Sequence, residues 1–201
     1  DILCHDYKKA FTRIQNIFSG LIELCPQNSY HCATAIALEW IQNGGGRVVT
    51  SFAGVGGMCA LEELIMALHI TRRSKLSADL TVLPEMKAIF EKMTGEKILD
   101  NKAVIGSSIF MVEAGIHADG ISKNPLTYEP YDPQKVGCAR GLVIGKHSGS
   151  KAIKIKLQEN GLQCSDDKIG DLLMTVQEQS VKQKRSLTDR EFVQIAKDVC
   201  V

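Results

Sequence analysis

Aromatic side chains are scarce in this 201-residue chain: one tryptophan, four tyrosines and six phenylalanines, 5% in all. Any core must therefore rest on aliphatic packing, and 44% apolar residues over this length suffice to bury one. Charge of one sign is lacking too. Lys and Arg total 24 against 23 Asp and Glu, a net charge of +1, so no field favours nucleic acid or an anionic membrane. Apolar runs near the ~20 residues of a membrane span are missing. The first nine residues, DILCHDYKK, lack a signal-peptide layout. No methionine opens the chain, and the expectation is that it begins inside a longer product. Seven cysteines (4, 25, 32, 59, 138, 164, 200) include no Cys-x-x-Cys pair, which argues against structural zinc. Their odd count points to reduced thiols in a cytoplasmic protein.

Periodicity predicts a helix over 8–24, with Phe11, Ile14, Ile17, Phe18, Leu21 and Ile22 on one face. Pro26 and Asn28 end it. A second helix over 34–42 stops at Gly44-Gly45-Gly46. The β-branched run 47–53 reads as a buried strand, followed by the Gly54-Val55-Gly56-Gly57 turn and a helix with Leu61, Leu64, Ile65 and Leu68 inward. Helix, strand, glycine turn and helix make an α/β grammar with parallel strands. Residues 70–83 read as loop, and a helix over 84–94 closes at Gly95. Functional loops are expected over 104–149. Helices over 150–159, 166–184 (Ser165 as N-cap) and a last one opened by a Thr188–Glu191 capping box complete the chain.

The Gly54–Gly57 turn has the context of a phosphate loop, yet the third glycine of a dinucleotide fingerprint is absent and no Lys-Ser/Thr follows. Ordinary turn chemistry is the stronger reading. Residues 113–149, EAGIHADGISKNPLTYEPYDPQKVGCARGLVIGKHSG, are richer: His117, Asp119, Tyr128, Lys146 and His147 stand among glycines and polar turns. By spacing alone His117 also reads as a loop histidine bonded to backbone, Asp119 as a turn former, and Lys146 and His147 as parts of a turn and helix cap.

This segment resembles the post-barrel region of homocitrate synthases and 2-isopropylmalate synthases, whose wording is close to ESGIHVDG, NPxTYEPF and GKHSG. The resemblance implies that His117 helps deprotonate acetyl-coenzyme A or activate the hydrolytic water, a role suited to imidazole. It implies that the Tyr128 hydroxyl supports the same step and that Glu113 belongs to the catalytic set. Val112 and Ala114 replace the usual histidine and serine beside it. Upstream, AGVGGMCALEE over 53–63 resembles NGIGERAGNAALEE with three residues missing, and Met58 stands where an asparagine is usual. Tyr30-His31-Cys32-Ala33-Thr34-Ala35 resembles a shortened FHCHNDLGLATA. His31 is then the one remaining candidate ligand for the Mg²⁺ or Mn²⁺ that the family uses, while a capping or surface histidine is the plainer reading. Asp1-Ile2-Leu3-Cys4 resembles Asp-Thr-Val-Gly, with Ile2 in place of a substrate-binding threonine.

The fold implied is α/β: the C-terminal part of a TIM (β/α)8 barrel followed by a small, mainly helical subdomain. Residues 1–69 would be its last strand–helix units, 70–149 a linker and active-site cover, and 150–201 the helical subdomain. The implied activity is homocitrate synthase-like acyl transfer from acetyl-CoA to 2-oxoglutarate; 2-isopropylmalate synthesis, or an inactive relic serving as an interaction module, are the alternatives. Expected partners are those small molecules and either a second copy of the chain or a separate N-terminal half. Neither nucleic acid nor a membrane is expected.

Overall fold

The computed structural model describes residues 6–71 and 78–200. The Asp1–Cys4 comparison and much of the expected 70–83 loop therefore lie outside the described residues. The chain divides into two compact units, 1–109 and 110–201. No described helix is long and apolar enough to cross a membrane.

The first unit runs α1 (Tyr7–Ile17), β1 (Glu23–Leu24), α2 (Ala33–Gln42), β2 (Arg47–Val48), β3 (Thr50–Ser51), β4 (Cys59–Ala60), α3 (Leu61–Ile70) and α4 (Leu83–Thr94). Its strands pair in parallel, β1 with β2 and β3 with β4, as the α/β reading predicts. Phe11, Ile36 and Trp40 pack one core cluster; Ala33, Ala37, Cys59, Leu64 and Leu68 pack another. Phe11 meets Trp40 edge-on at 4.9 Å, and the indole N–H donates to the Arg47 carbonyl at 3.0 Å. A Cβ on Gly45 would lie 2.1 Å from that indole. The glycine run therefore both ends α2 and admits the chain's one tryptophan.

Two expectations are corrected here. The first helix stops at Ile17 because Phe18 turns extended (φ −128°) and Glu23–Leu24 pairs with Arg47–Val48. Ile17, Phe18 and Leu21 are left exposed. The strand expected over 47–53 ends at Ser51, where Ala53 and Gly54 enter the left-handed region (φ 58° and 75°) and a 3-10 segment, Phe52–Gly57, begins. That segment hangs on a buried carboxylate. Glu62 Oε2 accepts the Ala53 N–H at 3.0 Å, while Oε1 has no hydrogen bond and lies 3.7 Å from Lys102 Nζ. Burial pushes the Glu62 carboxyl above its ordinary value.

The second unit runs β5 (Met111–Val112), α5 (Gly115–Lys123), β6 (Gly141–Leu142), α6 (Ser150–Glu159), α7 (Ile169–Gln183) and α8 (Asp189–Cys200), with β5 parallel to β6. Its core joins Leu142, Ile144, Ile153, Leu172, Val176 and Phe192. The Thr188–Glu191 box forms as expected: Thr188 N donates to Glu191 Oε2 at 2.8 Å and Glu191 N to Thr188 Oγ1 at 3.3 Å. Buried Lys156 ties α6 to the Leu142 carbonyl (2.9 Å) and to Asp189 (2.8 Å). The expected start of α7 shifts by three residues; Lys168, not Ser165, precedes it, without a side-chain cap. Cys164 and Cys200 form a disulfide, which corrects the expectation of reduced thiols for that pair. Cys25, Cys32 and Cys59 are free thiols.

Candidate functional site

Residues 115–123, expected as loop, form α5. The helix has weak local signals, with two internal glycines and Ala114 as an N-cap that offers no side-chain hydrogen bond. Neighbours hold it instead. A Cβ on Gly115 would stand 3.0 Å from Ala152 N and 3.2 Å from Lys151 Cβ, so glycine lets the start of α5 approach α6. Asp119 bridges the same pair of helices, bonded to Lys123 within α5 (2.8 Å) and to Lys151 on α6 (2.6 Å). These two ammonium groups, Lys123 first, hold its carboxyl down at about 2. Asp119 is thus a clamp between helices and not a turn former.

On the other side of α5, His117 and Tyr128 meet with ring centroids 4.8 Å apart, tilted at 46°. Gly120 makes this possible: its Cβ would lie 2.5 Å from Tyr128 Cε2. The tyrosine arrives on a loop built from local caps. Asn124 Oδ1 accepts from Leu126 N (3.2 Å) and Asp132 Oδ1 from Gln134 N (3.1 Å). Arg140 then grips buried Glu129 with two bonds of 2.7 Å, fixing the residue next to Tyr128. Both rings remain accessible; His117 is exposed and Tyr128 half-exposed.

Glu113 faces other partners. Its Oε1 accepts the His147 N–H at 2.7 Å, and its carbonyl accepts the Ser148 hydroxyl at 3.3 Å. Gly145 is required there, because a Cβ would come within 2.6 Å of that carboxylate oxygen. Ser148 Oγ accepts from Gly145 N at 3.0 Å, and Gln177 on α7 donates to the Ser148 carbonyl. Among the described residues no hydrogen bond joins Glu113 to His117 or Tyr128. The two rings come together, and the carboxylate serves the Gly145–Gly149 turn. Gly120, Gly145 and Arg140 were not singled out from sequence. The spacing of Gly120 within His117-Ala118-Asp119-Gly120 carried that signal.

His31 lies in the first unit, exposed, in the left-handed region (φ 55°), with its N–H on the Asn28 carbonyl at 3.0 Å. Among the described residues no three His, Cys, Asp or Glu side chains converge to hold a metal ion. In the first unit the carboxylates of Glu62 and Glu63 are both occupied by the Lys102 ammonium, and Thr34 Oγ1 donates to Glu63 at 3.0 Å. Beside it, burial raises the Cys59 thiol above its ordinary value, away from nucleophile chemistry. These donors do not fit a divalent cation, whose site needs several converging oxygens or imidazoles.

Residues 104–184 match the family described as homocitrate synthase post-HMGL domain-like. The chain is 37% identical over 185 residues to the omega subunit of homocitrate synthase from Clostridium pasteurianum, covering 92% of this chain and 52% of that protein. It is 36% identical over 195 residues to homocitrate synthase 1 of a Nostoc strain, covering 94% and 52%. To 2-isopropylmalate synthase 2 of Caldanaerobacter subterraneus it is 37% identical over 183 residues, covering 90% and 48%. The chain spans about half the length of the curated relatives it matches. Over about nine-tenths of its own length it is similar to homocitrate synthases and 2-isopropylmalate synthases.

Proposed function

We propose that this chain contributes the proton-transfer groups of a homocitrate synthase that condenses acetyl-CoA with 2-oxoglutarate. The observation that carries this reading is the apposition of His117 and Tyr128 on the accessible side of α5. In the reaction a base takes an α-proton from the acetyl group, and the enolate carbon bonds to the ketone carbon of the oxo acid. Water then cleaves the thioester and releases coenzyme A as thiol. His117 is the base, or the group that activates the water, and Tyr128 orients it through its hydroxyl. Glu113 acts at one remove by holding the Gly145–Gly149 turn. Because the donors around His31 do not fit a divalent cation, ketone polarisation is not assigned to this chain.

Residues 1–69 are proposed as the last strand–helix units of a (β/α)8 barrel completed elsewhere, 70–149 as the segment that covers the active site and 150–201 as the helical subdomain. A complementary N-terminal half, in the cytoplasm, would complete the enzyme. That the Clostridium relative is an omega subunit supports such a partner. A non-catalytic interaction module is the second reading, favoured by the unsuitable donors around His31 and by Lys102 filling the space between Glu62 and Glu63.

The test is acetyl-CoA-dependent thiol release with Mg²⁺ or Mn²⁺, using this chain alone and mixed with a homologous N-terminal half. Both 2-oxoglutarate and 3-methyl-2-oxobutanoate are offered. Release that needs 2-oxoglutarate and vanishes in His117→Ala establishes the proposal. Release with the branched acid instead makes it a 2-isopropylmalate synthase. No release from folded protein in either arrangement leaves the interaction module.

A further inference from the structure

The second unit holds a cavity of about 400 Å³ between the Gly145–Gly149 turn and the end of α7, with Glu113, Lys146, Ser180, Lys184 and Arg185 in its lining. Glu113 and Ser180 stand together over Gly145, where a Cβ would come within 2.6 Å of Glu113 Oε1 and 3.1 Å of Ser180 Oγ. Most polar groups here are already spent. Ser180 Oγ donates to the Arg185 carbonyl at 2.7 Å, and Glu113 Oε1 accepts the His147 N–H at 2.7 Å. Arg185 grips Glu191 with bonds of 2.9 and 2.7 Å. Three groups remain. Glu113 Oε2 has no hydrogen bond among the described residues. Lys146 and Lys184 are exposed, and neither has an ion-pair partner among the described residues. Opposite charges thus line one cavity without touching, which leaves room for a ligand between them.

Lys184 carries a second signal. It is the C-cap of α7 and lies in the left-handed region (φ 56°), where glycine is favoured and a side chain is strained. The α7 dipole draws cations to this end, but Lys182 in the last turn already supplies one. A lysine therefore holds a glycine position, and there it lines the cavity. The charges select the occupant. Two unpaired ammonium groups call for two carboxylates, while the open oxygen of Glu113 calls for a hydrogen-bond donor and repels a third anion. From this arrangement we infer that the cavity takes a short dicarboxylate with a donor, ammonium or hydroxyl, on the carbon beside one carboxylate. The carboxylates pair with Lys146 and Lys184, and the donor reaches Glu113 Oε2. With Arg185 neutralised by Glu191, two positive charges face one negative, so the ammonium form, itself singly negative, leaves the site neutral. The inference is independent of the proposed activity.

The test is titration of the full chain with aspartate, malate and succinate, followed by amide shifts in NMR. The three probes share one carbon chain and two carboxylates and differ only in the group beside one of them. Partly exposed ion pairs make a weak site, so the expected Kd for aspartate is about 1 mM. Aspartate should bind more tightly than malate, and malate about fivefold more tightly than succinate, which leaves Glu113 unanswered. Malate ahead of aspartate supports the inference with a hydroxyl as the donor. Lys146→Gln and Lys184→Gly should each weaken aspartate about tenfold. Lys184→Gly also relieves the left-handed backbone, so its thermal midpoint should equal or exceed that of wild type, which separates lost binding from lost folding. Glu113→Gln keeps an acceptor for the His147 N–H and should narrow the gap between aspartate and succinate. Succinate binding as tightly as the other two overturns the inference. So does wild-type affinity in both lysine variants, or no saturation with any probe up to about 20 mM.

Discussion

The Tyr128 ring lies against the Cα of Gly120, so close that a Cβ there would sit 2.5 Å from Tyr128 Cε2. One helical turn along, the same ring meets the His117 imidazole. The glycine thus sets the distance between the two candidate catalytic groups. Gly120→Ala should push the half-exposed ring outward at little cost. Alanine also favours the helix, so stability should stay level or rise by up to ~1 kcal/mol. The ring-current shift on the His117 protons, read by NMR, should collapse toward its value in Tyr128→Leu. A shift unchanged from wild type would mean the ring has another way in.

Ala114 occupies the N-cap of α5 with cap-like backbone angles (φ −88°, ψ 130°) but no side chain able to accept a hydrogen bond. Ala114→Ser should satisfy one orphan N–H in the first turn and stabilise the second unit by roughly 1 kcal/mol. Urea denaturation of the two proteins measures it.

Asp119 gives this unit an acid-side dependence. Its carboxyl is held at about 2 against an ordinary 3.8. The folded value is the lower one, so its contribution is present above pH 4 and is lost as pH falls from about 4 toward 2. Asp119→Asn should flatten that limb of the stability–pH curve and loosen α5 from α6, seen as faster amide exchange in α5.

Glu62 should behave with the opposite sign. Burial raises its folded value above the ordinary 4.5, so its protonated form stabilises the fold at low pH and the contribution is lost as pH climbs past 4.5. Glu62→Gln keeps an acceptor for Ala53 N and removes the charge. The first unit should then be more stable than wild type at pH 7 and lose this dependence. Glu62→Ala leaves a cavity and an unpaired N–H, and should cost about 2–4 kcal/mol. Equal pH profiles for wild type and Glu62→Gln would show that Lys102 neutralises the carboxylate fully.

The Cys164–Cys200 bond spans a sequence separation of 36 residues. In the chain-entropy account a closed loop of that size contributes about 4 kcal/mol. Cys200→Ser should lower the midpoint of the second unit, and dithiothreitol should lower wild type to the same value while leaving the variant unmoved.

What was legible in the sequence was mostly local. The Thr188–Glu191 box, the stop at Gly95 and the helix over 150–159 depend on residues within one turn of each other, and the structure contains all three. The helical reading past Ile17 failed because strand pairing with Arg47–Val48 overrode an amphipathic pattern whose side chains stay exposed. Helix α5 was hidden for the converse reason. Its own residues are poor helix formers, and contact with α6 and Tyr128 supplies what propensity lacks.

The residue types themselves determined which chemistry is within reach: imidazole and phenol in the 113–149 segment and a single histidine at position 31. Tertiary structure alone decided which of these groups act together. It turned Glu113 toward the His147 backbone, Asp119 toward Lys151 and Lys102 toward Glu62 and Glu63. The physical reason is that a side chain's partner is set by close approach between segments far apart in the chain. That approach is governed by where glycines leave room and where buried charge must be neutralised, and both depend on which distant segments pack together.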